Sequence, residues 1–183
     1  MTAKQITVGD VPVNASRVTY VGELGWELYC PMEYGLRLWD TLWEAGQPEG
    51  MVAAGYKAIE SLRLEKGYRY WSGEITPDYT PFEAGLGFAV NLRKNDFIGR
   101  EALLKQKESG LKQRLCCLTI SDSRTIALGK EPIRSGDEII GWVASGGYGY
   151  SIANSIAYAY LPMEYTKAGT ELKVEFFGTQ VAA

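Results

Sequence analysis

Hydrophobic and polar positions change their period several times along the chain. Residues 5–8 (Gln-Ile-Thr-Val) and 14–20 (Asn-Ala-Ser-Arg-Val-Thr-Tyr) alternate weakly and predict strands, separated by Gly9-Asp10 and Pro12. The stretch Val18-Thr-Tyr-Val-Gly-Glu-Leu-Gly-Trp-Glu-Leu-Tyr-Cys-Pro31 predicts two strands joined by a tight turn at Gly22-Glu-Leu-Gly25. Residues 34–45 place Leu38, Trp39, Leu42 and Trp43 three and four apart, the stripe of an amphipathic helix stopped by Gly46. Residues 51–54 (Met-Val-Ala-Ala) are a short apolar strand candidate. A second helix is predicted over 56–66, with Ala58, Ile59, Leu62 and Leu64 inward and Gly67 as its stop. Arg63 and Glu65 interrupt that apolar face, and Arg63 is expected to fix a neighbouring loop by hydrogen bonds.

Residues 68–83 are aromatic, polar and prolyl with no period, which predicts a loop that lines or covers a site. Residues 85–90 predict a strand returning to the sheet, 91–96 a polar bridge, and 97–107 a short helix. After that the pattern is all strand: 114–120, 138–144, 155–160 and 171–177, with turn signals at Ser135-Gly-Asp, Ser145-Gly-Gly and Ala168-Gly. That spacing predicts a small barrel or sandwich. The fold class is therefore α+β, with a boundary near residues 91–96: a mixed unit over 1–92 and an all-β unit over 93–183. The first strand lacks some of its partners, and residues 180–183 carry no closing turn or cap. Both ends thus read as positions inside a longer protein.

Composition narrows the chemistry. The 183 residues are 46 % hydrophobic and 22 % charged, the balance of a globular domain. A net charge of −3 argues against nucleic acid as a partner. No apolar run is long enough to span a bilayer, so no membrane role is expected. The 3 cysteines form neither a disulfide framework nor a metal-spaced cluster, which points to a reducing compartment. Aromatics reach 12 %, a richness that suits either a core or a flat-ring ligand. Histidine is absent, which removes the usual neutral-pH base and the commonest metal ligand. Zinc hydrolase, Ser-His-Asp and Cys-His chemistries are excluded from this chain alone, and no metal site is expected.

The candidate chemistry centres on Glu27. It sits between Trp26 and Leu28 in a predicted strand, where a carboxylate either faces water at a sheet edge or meets a nitrogen-rich ligand. Other motifs carry less. Gly146-Gly-Tyr-Gly149 lacks the strand–glycine–helix context of a dinucleotide site and reads as a turn. Glu23 and Glu27 flank a turn, so they make a weak glycosidase-type pair.

Four ordered blocks carry a resemblance. They are Thr19-Tyr-Val-Gly-Glu-Leu-Gly-Trp-Glu27, Ser61-Leu-Arg-Leu-Glu-Lys-Gly-Tyr68, Thr80-Pro-Phe-Glu-Ala-Gly-Leu86 and Asp96-Phe-Ile-Gly-Arg-Glu-Ala-Leu103. Together they resemble the glycine cleavage T-protein (aminomethyltransferase) superfamily of tetrahydrofolate-binding proteins. Ser145-Gly-Gly-Tyr-Gly-Tyr-Ser-Ile152 and Ile156-Ala-Tyr-Ala-Tyr-Leu-Pro162 are similar to its C-terminal barrel. Lys66-Gly-Tyr-Arg-Tyr-Trp71 is closer to the C-terminal folate domains of dimethylglycine and sarcosine dehydrogenases than to the stand-alone T-protein.

The resemblance implies that residues 1–92 are the second half of a folate-binding domain, a ferredoxin-like sheet with helices, and that 93–183 are the barrel. It implies tetrahydrofolate as cofactor, with Glu27 hydrogen-bonding the pterin and Tyr20 packing beside it. Two departures stand out. The family carries an Arg, a second folate contact, where this chain has Ile59, and its catalytic Asp has no match here, so no catalytic residue is assigned. The implied activity is one-carbon transfer from a small N-methyl amine or aminomethyl donor, handled by the rest of a larger enzyme, and the piece alone is expected to be inactive. FAD enters only through a preceding domain. The alternatives are a glycine cleavage aminomethyltransferase and a non-catalytic folate-binding or assembly module. The expected location is the cytoplasm, or the mitochondrial matrix in a eukaryote.

Overall fold

A computed structural model describes all 183 residues, and the chain packs as two units, Met1–Tyr68 and Arg69–Ala183. In the first unit, β1 (Ala3–Val8), β2 (Val11–Ser16) and β3 (Glu27–Tyr29) form an antiparallel sheet in that order. β1 and β2 share a two-residue hairpin, with Gly9 at φ +61° in the left-handed position that such turns require. Val11, Val13 and Ala15 alternate inward and pack with Leu38 and Leu42 of helix α1 (Gly35–Gly46), whereas Trp39, expected on the same stripe, is 50 % exposed.

The tight hairpin expected around Gly22 does not form. β2 ends at Ser16: the Arg17 N–H still reaches across to Thr2 O at 2.7 Å, but the Val18 N–H turns back to Ser16 O at 3.0 Å. Residues 17–26 are therefore a ten-residue connection, and Thr19 and Tyr20 lie outside any strand. Gly22, at φ +81°, rests on Lys66, whose Cγ and Cδ would lie 2.6 Å from a β-carbon placed there. Residues 51–54 are likewise exposed and irregular, with Val52 79 % exposed and no neighbouring strand to pair with.

Helix α2 (Tyr56–Lys66) matches its predicted bounds, and Gly67 at φ +76° closes it through Tyr68 N–H to Arg63 O, 2.9 Å. Its inward face is displaced from the expected one. Ile59 is 36 % exposed, whereas Arg63 is only 1 % exposed beside Leu64. Arg63 pairs with Glu60 and donates from Nη1 to Tyr68 O at 3.1 Å, which is the loop-fixing role expected of it.

In the second unit, helix α3 (Arg100–Ser109) precedes six strands: β4 (Gln113–Ile120), β5 (Pro132–Ser135), β6 (Glu138–Gly149), β7 (Asn154–Pro162), β8 (Lys173–Phe176) and β9 (Thr179–Ala182). They pair antiparallel in the order β4-β7-β6-β5-β8-β9, and the Ser121 N–H donates to Ala182 O at 2.8 Å, joining the two outer strands into a barrel. Leu118, Ile120, Ile133, Val143, Ala157, Ala159, Leu161 and Val174 fill its interior. Strands β5 and β9 were not anticipated.

Two further expectations change. Residues 85–90 hold a short 3₁₀ turn, not a strand, since Gly85 at φ +69° and the Leu86 N–H to Pro81 O bond bend the chain. Gly146-Gly-Tyr-Gly149 is the end of β6, not a turn, and pairs with β7 past a bulge near Val143. A β-carbon at Gly146 would meet backbone on both sides, including Ile156 O at 3.0 Å, so close approach explains the glycine.

The aperiodic residues 69–92 cover the outer face of β7. The Tyr79 and Tyr160 rings stack 3.5 Å apart, and the Tyr160 hydroxyl donates to Glu74 O at 2.7 Å. Glu74, 1 % exposed, accepts the Tyr70 N–H at 2.6 Å and the Ser145 hydroxyl. Replacing it removes the buried acceptor from two half-buried hydrogen bonds, so Glu74→Ala should cost about 1–3 kcal/mol in urea unfolding. Burial also pushes the Tyr160 phenol well above its ordinary value. A phenol raised in the folded state contributes stability below its unfolded value, about 10, and loses it as pH rises beyond that. Alkaline unfolding should accordingly begin above about pH 10 and weaken in Tyr160→Phe.

Candidate functional site

Glu27 opens β3. Its register partner is Ser16, and Tyr29 two residues on faces Asn14. The two-residue period of a strand puts Glu27 and Tyr29 on the same side. Both are exposed, and the Tyr29 hydroxyl donates to Glu27 Oε2. That bond, together with the carboxylate's charge, pushes the Tyr29 phenol above its ordinary value, so the hydroxyl remains a donor. Water-facing and ligand-facing were the two possibilities for Glu27. It is exposed, with one oxygen held from the side, and the second oxygen has no hydrogen-bond partner within the protein.

Tyr20 has a different neighbour. Its ring stacks on Tyr68, with centroids 5.9 Å apart and planes 23° apart. Tyr68 is itself placed by the helix stop at Gly67 and by Arg63, which binds its carbonyl. The connection between β2 and β3 is braced by Arg17, which donates to Gly25 O at 3.1 Å and lies 5.4 Å from the Trp26 ring centroid. Thr19 Oγ1 accepts the Val21 N–H at 3.2 Å. A shallow hollow of about 300 Å³ is bordered by Tyr29, Asn14 and Gln5, at the small end of ligand pockets.

The structure thus places each predicted residue with a partner that sequence reading missed. Tyr29 was accessible from strand alternation alone. Tyr68 was not, because its contact with Tyr20 spans most of the unit. A carboxylate with a lateral phenol can accept a pair of N–H groups, and a stacked tyrosine pair offers a flat apolar surface. Ile59, at the position of the expected Arg, lies on α2 and offers no hydrogen-bonding group.

Comparison with known proteins places the chain in a family. Residues 1–94 match the GCVT N-terminal domain, and residues 113–183 match the glycine cleavage T-protein C-terminal barrel domain. The chain is 42 % identical over 184 residues to human mitochondrial dimethylglycine dehydrogenase, covering 100 % of this chain and 21 % of that protein. It is 39 % identical over 180 residues to mouse mitochondrial sarcosine dehydrogenase, covering 93 % of this chain and 19 % of that one. With the aminomethyltransferase of Symbiobacterium thermophilum it shares 38 % identity over 183 residues, 99 % of this chain and 48 % of the relative. The crystal structure of glycine cleavage system aminomethyltransferase T from Bartonella henselae superposes with a TM-score of 0.85 at 29 % identity, covering 93 % of this chain and 47 % of that one. The chain therefore spans about a fifth of the length of the dehydrogenases and about half that of the aminomethyltransferases. These relatives are enzymes, and no helix here is long and apolar enough to cross a membrane. With both family models matched in order and the fold shared, the chain belongs to the glycine cleavage T-protein family.

Proposed function

We propose that this chain is the tetrahydrofolate-binding part of a one-carbon transfer enzyme of the dimethylglycine and sarcosine dehydrogenase type. The observation that carries the reading is the Glu27 carboxylate, exposed at the start of β3 with the Tyr29 hydroxyl on one oxygen. Family membership and the identity to two N-methyl amine dehydrogenases support it.

The residues present fit a pterin. Glu27 accepts paired N–H groups from its aminopyrimidinone edge, as a carboxylate does from guanidinium. Tyr20, steadied by Tyr68, gives the ring an apolar face. Tyr29 fixes the carboxylate's rotamer and remains a donor, which reduces the ordering cost on binding. Bound tetrahydrofolate would supply the amines that capture an activated one-carbon unit. What these residues do is orient the ligand and shield one side of it from water. The donor amine, and any FAD that oxidises it, belong to other parts of a larger protein. We retain a division near residues 92 and 93 between the folate-binding half and the barrel, and a cytoplasmic or mitochondrial-matrix location.

Two measurements follow. Glu27→Gln keeps the shape but removes the charge, so calorimetry with tetrahydrofolate should show affinity lower by roughly ten- to a hundredfold, the worth of one or two charge-assisted bonds. Unchanged affinity would overturn the pterin assignment. Carbon-13 NMR of the tyrosines should find Tyr29 titrating above its ordinary range, and Glu27→Gln should return it toward that range. A Tyr29 signal unmoved by the substitution would break the proposed pair.

A further inference from the structure

We infer that the barrel unit carries a second ligand site, for a small hydroxylated organic anion with two or more carboxylates, separate from the residues assigned to folate. A cavity of about 600 Å³ lies between residues 82–93 and the C-terminal end of α3, a volume suited to a small metabolite. Three cationic residues line it, Arg93, Lys107 and Arg114 (the last also bordering the neighbouring hollow beside Cys116), and no carboxylate residue does. None of the three has a carboxylate within ion-pair distance, whereas other arginines of the chain, such as Arg134 with Glu175 at 2.5 Å, do.

The local balance runs against that of the whole chain. The protein carries a net charge of −3, so its surface does not attract anions in general. A concave site with three unpaired cations and apolar walls focuses the opposite field. The C-terminal carbonyls of α3 share a wall of the cavity and add partial negative charge, equivalent to about half of one electron charge. One of them, Gln106 O, already accepts the Ser109 hydroxyl at 3.4 Å. Three full positive charges outweigh that opposing dipole.

A second observation specifies more than charge. Gln106 also lines the cavity, and its Oε1 is buried with no hydrogen-bond partner. A buried acceptor left unpaired costs free energy, which a rotation of the Gln106 amide toward a ligand O–H in the cavity recovers. Phe82 and Leu92 add an apolar wall, which favours an anion with a carbon frame over a bare inorganic ion. A hydroxylated di- or tricarboxylate meets all three requirements: charges for the cations, carbon for the apolar wall, and a hydroxyl for Gln106.

Citrate, succinate, propane-1,2,3-tricarboxylate and inorganic phosphate, titrated into the full chain by calorimetry at matched ionic strength, test this. Citrate should bind with the highest affinity, succinate more weakly for want of one carboxylate, and propane-1,2,3-tricarboxylate, which is citrate without its hydroxyl, more weakly than citrate at equal charge. Arg114→Ala and Arg93→Ala should each weaken citrate on the order of tenfold, the worth of one charge-assisted contact. Arg124→Ala, an exposed arginine that does not line the cavity, should leave citrate binding unchanged. Both cavity arginines are exposed, so melting temperatures close to the parent's will confirm that the variants fold. Equal binding of citrate and phosphate, loss of affinity as large in Arg124→Ala as in Arg114→Ala, or no citrate binding at all would each overturn the site.

Discussion

The functional geometry of the first unit depends on one short strand pairing. β3 is three residues long, and its register against β2 (Ser16 with Glu27, Asn14 with Tyr29) decides which side chains share a face. A slip of one residue would turn Glu27 and Tyr29 to the other side and bring Leu28 out. The pairing is held from both directions. β2 is anchored by Val11, Val13 and Ala15 against α1, and Leu28 of β3 packs against the same cluster. The apolar side of β3 thus fixes the polar side. This is how a strand too short to be stable by itself holds a carboxylate in a defined place.

A similar logic operates in the barrel unit. There residues 69–92 contain no strand or α-helix; turns and one short 3₁₀ turn satisfy many of their polar groups, and the barrel supplies partners for others. Glu74 is buried with donors from Tyr70 and Ser145, Tyr160 binds the Glu74 carbonyl, and the Leu115 N–H donates to Glu83 O at 2.8 Å. These bonds make the segment part of the barrel in packing, although the N-terminal family model runs on to residue 94. Family boundaries follow ancestry, whereas packing units follow buried contacts, and here the two fall at different residues.

How much of this was legible in the sequence varied with the range of the physics involved. Helices α1 and α2 and strands β4, β6, β7 and β8 could be read because period and stop signals are local. The predicted turn at Gly22 was not a turn of that kind, since the glycine answers to Lys66, more than forty residues on. Gly146 was misread for the same reason, its neighbours being backbone from another strand. β5 and β9 are four residues each and carry too few apolar positions to show a period. Glu27 stood out because a carboxylate inside a strand is rare, but its bond to Tyr29 depends on exposure and rotamer. The stacking of Tyr20 on Tyr68 left no local trace at all.

The central claim is that Glu27 reads the N–H edge of a pterin. The most direct test compares tetrahydrofolate with an analogue lacking the 2-amino group, in the parent chain and in Glu27→Gln. The account predicts a clear preference for tetrahydrofolate in the parent, about tenfold or more, that collapses in the variant because the carboxylate is what senses the missing group. A preference of the same size in both proteins would contradict it.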